Sequence, residues 1–201
     1  LHFAKSLEIT MFLLRVFPEG ALKPNKQLQT PLHLACIAKE LNVDVLRLLL
    51  DVYPTALHMS DDKGWTPLHN LCANRQATTS ALQLVLASPM GISAVTMDLQ
   101  KPLHVAAASK VDLSILKYLY DEDPGQLRYT DEEFQLPLHK AVMLHCQTGL
   151  YLDHVQWLIA VFPAALHFAD MNDERPLDLA QRLVGDPVLC ELLQPSSRSG
   201  Q

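Results

Sequence analysis

The stretch DKGWTPLH at residues 62–69 decides the fold, because its last four letters recur along the chain. TPLH stands also at residues 30–33, KPLH at 101–104, LPLH at 136–139 and RPLD at 175–178. A reactive site is rarely built five times in one chain, whereas a structural unit can be repeated many times. The recurrence therefore indicates scaffolding rather than a catalytic site.

A second series of prolines fixes the length of the repeat. Each proline of this series precedes a proline of the first series by 13 residues, pairing Pro18, Pro54, Pro89, Pro124 and Pro163 with Pro31, Pro67, Pro102, Pro137 and Pro176. Successive prolines of the first series are 36, 35, 35 and 39 residues apart. The 13-residue link is therefore constant, and the variation lies in the segment that precedes it.

The variable segment predicts two helices in each repeat. Thr30 can cap a first helix, and Pro31 occupies its first position, where a missing N–H costs nothing. Asn42 can cap a second helix that ends before Pro54. Aligning the repeats on their prolines predicts a core column of Leu13, Leu49, Leu84, Leu119 and Leu158, and a cap column of Ser6, Asn42, Ala77, Asp112 and Tyr151.

The constant link predicts an extended finger loop. In the copy at residues 54–67, Asp61 and Gly64 bracket a turn, and Gly64 can supply a positive φ angle. The other links carry different residue types at the glycine position, so we expect their fingers to turn differently; these residues are Leu28, Leu99, Phe134 and Asp173.

A period of about 35 residues, a helix pair, an Asp-x-x-Gly turn and TPLH at the start of the first helix together resemble the ankyrin repeat. A tetratricopeptide repeat has a similar period, but it gives no reason for the proline or for the 13-residue link. The resemblance covers about residues 1–194. It implies an all-α ankyrin-repeat solenoid of helix-turn-helix units joined by extended finger loops, with units of about 1–30, 31–66, 67–101, 102–136, 137–175 and 176–194 and a flexible tail at 195–201.

The resemblance also implies a role for the recurring histidines. In the family the threonine hydroxyl and the histidine ring bond each other and tie one unit to the next, which we expect of Thr30 with His33 and of Thr66 with His69. The later histidines, His104 and His139, lack that threonine. Asp178 replaces the histidine in the closing unit, as expected where no further unit follows.

Composition excludes several classes of function. With 49% apolar residues and a formal net charge of −6 over 201 residues, we expect a soluble globular chain that does not bind nucleic acid. Four cysteines without CxxC spacing favour a reducing, intracellular and cytoplasmic setting. No apolar run approaches the roughly 20 residues of a membrane helix. We therefore expect no membrane partner. We also expect a monomer that binds no cofactor.

The sequence gives little support for a metal site or a catalytic site. Three residues fall outside the repeated columns, namely His145, Cys146 and His154, and a zinc site there lacks a fourth ligand. They surround a four-residue expansion, which we interpret as a longer loop between two helices. The acidic stretches at 121–125 and 130–134 lack the alternating ligands of a calcium loop and indicate a solvated patch. We expect no metal site and no catalytic residue.

The finger positions that vary within the family are the expected partner-binding residues. The resemblance selects Lys26, Gln27, Gln29, Asp62, Lys63, Trp65, Met97, Asp98, Gln100, Glu132, Glu133 and Gln135. This series runs from neutral to acidic, so we expect a partner with apolar and basic groups. Two interpretations of Trp65 stay open: it faces the partner, or it lies flat on the neighbouring finger.

The sequence thus predicts a protein-binding scaffold or adaptor that uses the concave face made by its fingers and first helices, without being an enzyme. One alternative is a regulatory or substrate-docking segment of a larger enzyme, because the chain begins inside a unit and lacks an initiator methionine. A structural spacer is a further alternative, since it would need only the stack of repeats.

Overall fold

A computed structural model describes residues 7–86 and 92–194. Within these two ranges every regular element is helical, so the predicted all-α fold is confirmed. Three features named above lie outside the described residues: Ser6, Pro89 and the tail at 195–201.

The α-helices come in pairs along most of the chain. Their bounds are α1 Leu7–Val16, α2 Pro31–Cys36, α3 Val43–Val52, α4 Pro67–Cys72, α5 Thr79–Val85, α6 Pro102–Ala107, α7 Leu113–Glu122, α8 Pro137–Thr148, α9 Leu152–Val161, α10 Pro176–Leu183 and α11 Pro187–Leu192. The even-numbered first helices stack on one another from α2 to α10, and the odd-numbered second helices stack beside them from α1 to α9. Two layers of helices therefore enclose one continuous core.

The first helices begin as the sequence predicts. Pro31 is the first residue of α2, and the ring nitrogen Nδ1 of His33 accepts a hydrogen bond from the Thr30 backbone N–H at 3.1 Å. The same bond joins Thr66 to His69 at 3.2 Å. These reciprocal caps satisfy backbone donors that a helix start would otherwise leave without partners. The histidine at the third helical position therefore fixes where each first helix begins.

Helices α3, α5, α7 and α9 bury their third, fourth and seventh residues. In α5 these residues lie one position later than the sequence predicts. The cap of α5 is Thr78, whose hydroxyl accepts from the Ala81 N–H at 3.2 Å, because the predicted cap Ala77 has no side-chain acceptor. The helix therefore begins one residue later than predicted. Val85 is buried in place of Leu84, which is half-buried.

Two other predicted columns are only partly correct. Asn42 and Asp112 cap α3 and α7 as expected, whereas Tyr151 precedes α9 in a left-handed conformation and makes no capping bond with its side chain. In the core column Leu49, Leu119 and Leu158 are buried, as predicted. In α1 the buried residues are Thr10 and Leu14, and the predicted Leu13 is half-buried.

Short 3-10 helices follow four of the second helices, at Pro18–Ala21, Pro54–His58, Pro124–Arg128 and Pro163–His167. Proline stops the α-helix because it cannot donate a backbone hydrogen bond and its ring clashes with the preceding turn. The turns that result return the chain to the core, where Ala56 and Leu57 are buried in the second repeat.

The four-residue expansion lengthens a helix instead of a loop, so that prediction was wrong. Helix α8 has 12 residues where α6 has six, and Gly149 caps its C-terminal end in a left-handed conformation with φ of 68°. The extra turns place His145 and Cys146 on α8 itself. His154, in α9, is buried at the third helical position of that repeat.

Candidate partner-binding surface

Each finger turn is built around one polar residue, six positions before the proline that opens the next first helix. These turn anchors are Asn25, Asp61, Thr96, Asp131 and Asp170. Each anchor donates its backbone N–H to the carbonyl of the residue four positions later, at 2.8–3.1 Å. The five fingers, numbered from one to five in chain order, therefore close in the same way.

The carboxylate anchors show why these turns form. Asp61 Oδ1 accepts from the backbone N–H groups of Lys63 and Trp65, both at 2.9 Å. Asp131 Oδ1 accepts in the same way from Glu133 and Gln135, at 3.0 and 2.8 Å. Short polar side chains of this kind favour turns because they bond their own backbone a few residues on. The anchor therefore holds the turn whichever residue lies between.

All five fingers place a residue in the left-handed region, so the prediction that they turn differently was wrong. Gly64 has a φ of 76°, and the other four residues have φ values between 57° and 61°, namely Leu28, Leu99, Phe134 and Asp173. A side chain in this region costs roughly 1–2 kcal/mol. The anchor bonds supply enough stabilisation to hold a leucine or a phenylalanine there.

Adjacent fingers are joined by a ladder of backbone hydrogen bonds. Across each junction an N–H donates to a carbonyl of the preceding finger at 2.9–3.0 Å, pairing Asp62 with Gln27, Met97 with Lys63, Glu132 with Asp98 and Met171 with Glu133. At Gly64 a Cβ atom would lie 2.8 Å from the Met97 backbone nitrogen. Glycine thus permits close approach of the third finger to the second, and the ladder makes one continuous row.

Histidines tie three of the fingers to the first helices. The Nε2 atoms of His33, His69 and His104 lie 3.0, 3.2 and 3.1 Å from the carbonyl oxygens of Trp65, Gln100 and Gln135. Because each Nδ1 accepts a backbone N–H, Nε2 carries the proton and donates it. The inter-unit tie expected for His33 and His69 is present, and His104 makes it without a threonine.

Burial keeps these histidines neutral. It lowers the pKa of His69 and of His104 to about 4, and it lowers the pKa of His33 as well. His139 differs, since its Nδ1 accepts from Leu136 N but its buried Nε2 makes no hydrogen bond in the part of the chain described. The ties therefore support the second, third and fourth fingers.

The predicted partner-binding residues differ in exposure. Eight are exposed, namely Lys26, Gln27, Asp62, Lys63, Met97, Asp98, Glu132 and Glu133. Gln29, Trp65 and Gln100 are half-buried. Gln135 is buried and donates its amide Nε2–H to Asp170 Oδ2 at 3.1 Å, so it belongs to the junction between fingers and not to the exposed row.

Trp65 contributes to packing as well as to the surface. Its indole packs against the hydrophobic core while remaining half-buried. The ring is tilted by 52° against the ring of His69, with 6.2 Å between centroids. Only part of the indole is therefore accessible to a partner.

The fingers, rather than the first helices, present side chains to solvent in the middle of the stack. Helices α4 and α6 bury all six of their residues. The finger tips instead expose large apolar groups: Leu28 and Leu99 are each 52% exposed, Phe134 is 57% exposed and Met97 is 68% exposed.

Sequence reasoning missed the three apolar residues at the left-handed positions, which are Leu28, Leu99 and Phe134. A usable signal was present in the column of turn anchors, because four of its five members are Asn or Asp. That column indicates equivalent turns, and equivalent turns direct the residue three positions after each anchor to the tip.

The acidic patch at residues 130–134 contains one buried carboxylate, Asp131, and two exposed carboxylates, Glu132 and Glu133. Lys140 is nearly buried, and its Nζ lies 2.6 Å from Asp131 Oδ2 and 3.5 Å from Glu133 Oε2. Asp131 therefore stabilises the turn through hydrogen bonds and also forms an ion pair with Lys140. Glu132 and Glu133 remain exposed beside Asp98, and they give the third and fourth fingers a negative surface.

Of the residues left outside the repeated columns, His145 and His154 are buried, and Cys146 is partly buried against the core. His145 bonds the Leu150 carbonyl through Nδ1 at 2.8 Å and Asp186 through Nε2 at 3.2 Å. Among the described residues, no group of three or more His, Cys, Asp or Glu side chains could hold a metal ion. Over the same residues, none of the helices has the length and apolar character needed to cross a membrane.

Comparison with known proteins identifies the family. No curated protein matches the chain. The family model described as ankyrin repeats (3 copies) matches residues 1–98. Beyond residue 98 the structure continues with proline-opened first helices, second helices, finger turns and the His104 tie. The chain is an ankyrin-repeat protein.

Proposed function

We propose that this chain binds a protein partner along its row of fingers. Ankyrin repeats are generally protein–protein interaction modules and are typically non-catalytic. The observation that carries the proposal is the set of exposed apolar side chains held in left-handed backbone at three finger tips, namely Leu28, Leu99 and Phe134.

The backbone strain at these tips supports a role in binding. Gly64 and Asp173 occupy equivalent turns with residue types that adopt the left-handed region at lower cost. Leu99 and Phe134 are strained there and leave more than half of their surface in water, so burial within the fold offsets little of the cost. Strain retained at exposed apolar positions is a property of ligand-binding segments.

The surface also favours a particular partner chemistry. Apolar contact is available at Met97, Leu99 and Phe134, and the carboxylates of Asp98, Glu132 and Glu133 lie on the same two fingers. A partner segment that combines large apolar residues with Lys or Arg matches both properties. The charged groups would mainly accelerate association, and the apolar groups would slow dissociation.

The test uses a display library of random peptides selected on the immobilised full chain. We expect the enriched peptides to combine basic residues with Leu, Phe or Trp. The double variant Glu132→Gln, Glu133→Gln should bind these peptides about tenfold more weakly and with less dependence on salt.

The matched control is Asp121→Asn, Glu122→Gln, which removes the same charge from exposed positions on α7, away from the fingers. Its affinity should equal that of the unmodified chain. Selection of peptides without basic residues, or an equal loss of affinity in both double variants, would contradict the proposed surface.

A further inference from the structure

Helix α9 carries a histidine at a position where α3, α5 and α7 carry an apolar residue. His154 is the third residue of α9, and the third residues of the other three helices are Val45, Ala81 and Ile115. All four side chains are buried, and His154 is only 1% exposed. The repeat therefore uses this position for apolar packing, and the imidazole of His154 is a polar group within the core.

Neither ring nitrogen of His154 makes a hydrogen bond in the part of the chain that the structure describes, although both are buried. By contrast, the rings of His33 and His69 bond through both nitrogen atoms. A buried polar group without a partner destabilises the fold, because it has lost its bonds to water and gained none in return. In native proteins such groups are few, and they often mark stored strain or a functional role.

The start of α9 is strained and weakly capped. Side chains of Asn42, Thr78 and Asp112 cap α3, α5 and α7, whereas Tyr151 precedes α9 without a capping bond from its side chain. Tyr151 also lies in the left-handed region with a φ of 66°, which bulky residues avoid. Its ring contacts the ring of His154, with 5.1 Å between centroids. The strained residue and the buried imidazole therefore belong to one helix start.

The charges near His154 do not offset its burial. Asp153 on α9, Asp112 at the start of α7 and the Val111 backbone all favour the charged ring. Helix α8 and the 3-10 helix Pro163–His167 also pack on α9, and neither adds a charged group that acts on the ring in the described part of the chain. Burial outweighs these influences and lowers the pKa of His154 below its ordinary value. The ring is therefore neutral while it stays in the core.

We infer that His154 is a proton-operated release for the first turn of α9. As the pH falls, a proton binds the ring whenever the turn opens to water, and the charged ring does not return to an apolar site. Opening also relieves the left-handed conformation of Tyr151. Helices α3 and α7 carry Val45 and Ile115 at this position and have no such group. The chain thus contains a pH-sensitive joint between the units at 102–136 and 137–175.

Hydrogen exchange of the full chain tests this inference, with mass spectrometry as the readout and a correction for the intrinsic effect of pH on exchange. Between neutral pH and pH 5 we expect the protection of the α9 amides to fall by up to about tenfold for each unit of pH, the limit when one proton is taken up on opening. The fall should be steeper in α9 than in α3, because the opening is local.

Two variants with the residues of equivalent helices identify the titrating group. His154→Val introduces the residue type of Val45, and His154→Ala that of Ala81. Both should remove the additional pH dependence of α9, and His154→Val should also raise the protection of α9 at neutral pH. The matched control is His167→Gln, which removes an exposed histidine from the next 3-10 helix and should leave the pH dependence of α9 unchanged.

Three results would each overturn the inference. The first is a protection of α9 that stays constant down to pH 5. The second is an equal fall in α9 and α3, which would mean that acid opens the whole stack. The third is a steeper fall in α9 that persists in both His154 variants, which would assign the proton to another group.

Discussion

The second and fourth fingers have the same turn conformation, but they carry different residues at the left-handed position. Both close around an aspartate, Asp61 or Asp131, and both place a residue in the left-handed region. In the second finger that residue is Gly64, whose missing side chain leaves room for the third finger. In the fourth it is Phe134, which is 57% exposed. The anchor therefore sets the shape of the turn, and the left-handed residue reflects what the tip contacts.

Acidification should weaken both fingers together, and this is the largest effect we expect. His33 holds the second finger and His104 the fourth, and burial lowers the pKa of both. Above pH 6.5, the ordinary histidine value, these rings are neutral whether the chain is folded or unfolded. As the pH falls from there, the unfolded chain binds protons that the folded chain excludes, and for His104 this continues down to a pH of about 4. The free energy of unfolding should therefore fall by about 1.4 kcal/mol for each unit of pKa difference at each histidine.

Urea unfolding between neutral pH and pH 4 measures this loss of stability. The variant His104→Gln should lose part of the pH dependence, because it removes one titrating group. His167→Gln changes an exposed histidine outside the fingers and should retain the full dependence. A stability that stays constant down to pH 4 would show that these histidines titrate normally in the folded chain.

Replacing the turn anchor with alanine should lower the free energy of unfolding more in the fourth finger than in the second. Asp131→Ala removes two turn bonds and leaves the nearly buried Lys140 without its closest partner, so we expect a loss of about 3–5 kcal/mol in the free energy of unfolding. Asp61→Ala removes the equivalent turn bonds without breaking a lysine pair, and about 1–3 kcal/mol is expected.

Urea unfolding at neutral pH compares the two anchor variants. Asp131→Asn keeps an oxygen for the turn but removes the charge, so its loss relative to Asp131→Ala separates the turn bonds from the ion pair. Equal losses for the two alanine variants would mean that Lys140 contributes nothing to the fourth finger.

The sequence predicted those features that depend on a few neighbouring residues. Proline at the first helical position and the histidine two residues later fixed the start of α2, α4, α6 and α8 from local chemistry alone. The errors arose where a distant contact or a competing local choice decided the outcome. Gln135 is buried because it bonds Asp170, 35 residues away, and α5 begins late because Thr78 caps better than Ala77.

The exposed tips could be found from sequence only by comparing the turn anchors across repeats. The partner-binding residues predicted from the family's variable positions lie beside each finger tip, but they do not include the tip residue itself. Phe134 in isolation argues against a left-handed turn, since bulky residues avoid that region. Its conformation follows from Asp131, three residues earlier, together with the ladder bond from Glu132 to Asp98.

The smallest effect on stability should come from relieving the strain at the fourth finger, and it would have the opposite sign. Asn adopts the left-handed region more readily than Phe, and Phe134 leaves more than half of its surface exposed. Phe134→Asn should therefore raise the free energy of unfolding by up to about 1 kcal/mol. The same change should weaken binding of the selected basic and apolar peptides, because it removes the exposed ring. Asp173→Asn is the matched control at the fifth tip, where neither quantity should change much. A variant Phe134→Asn that is less stable than the unmodified chain would show that the ring packs within the row of fingers, and the fourth finger would then resemble the second in function as well as in shape.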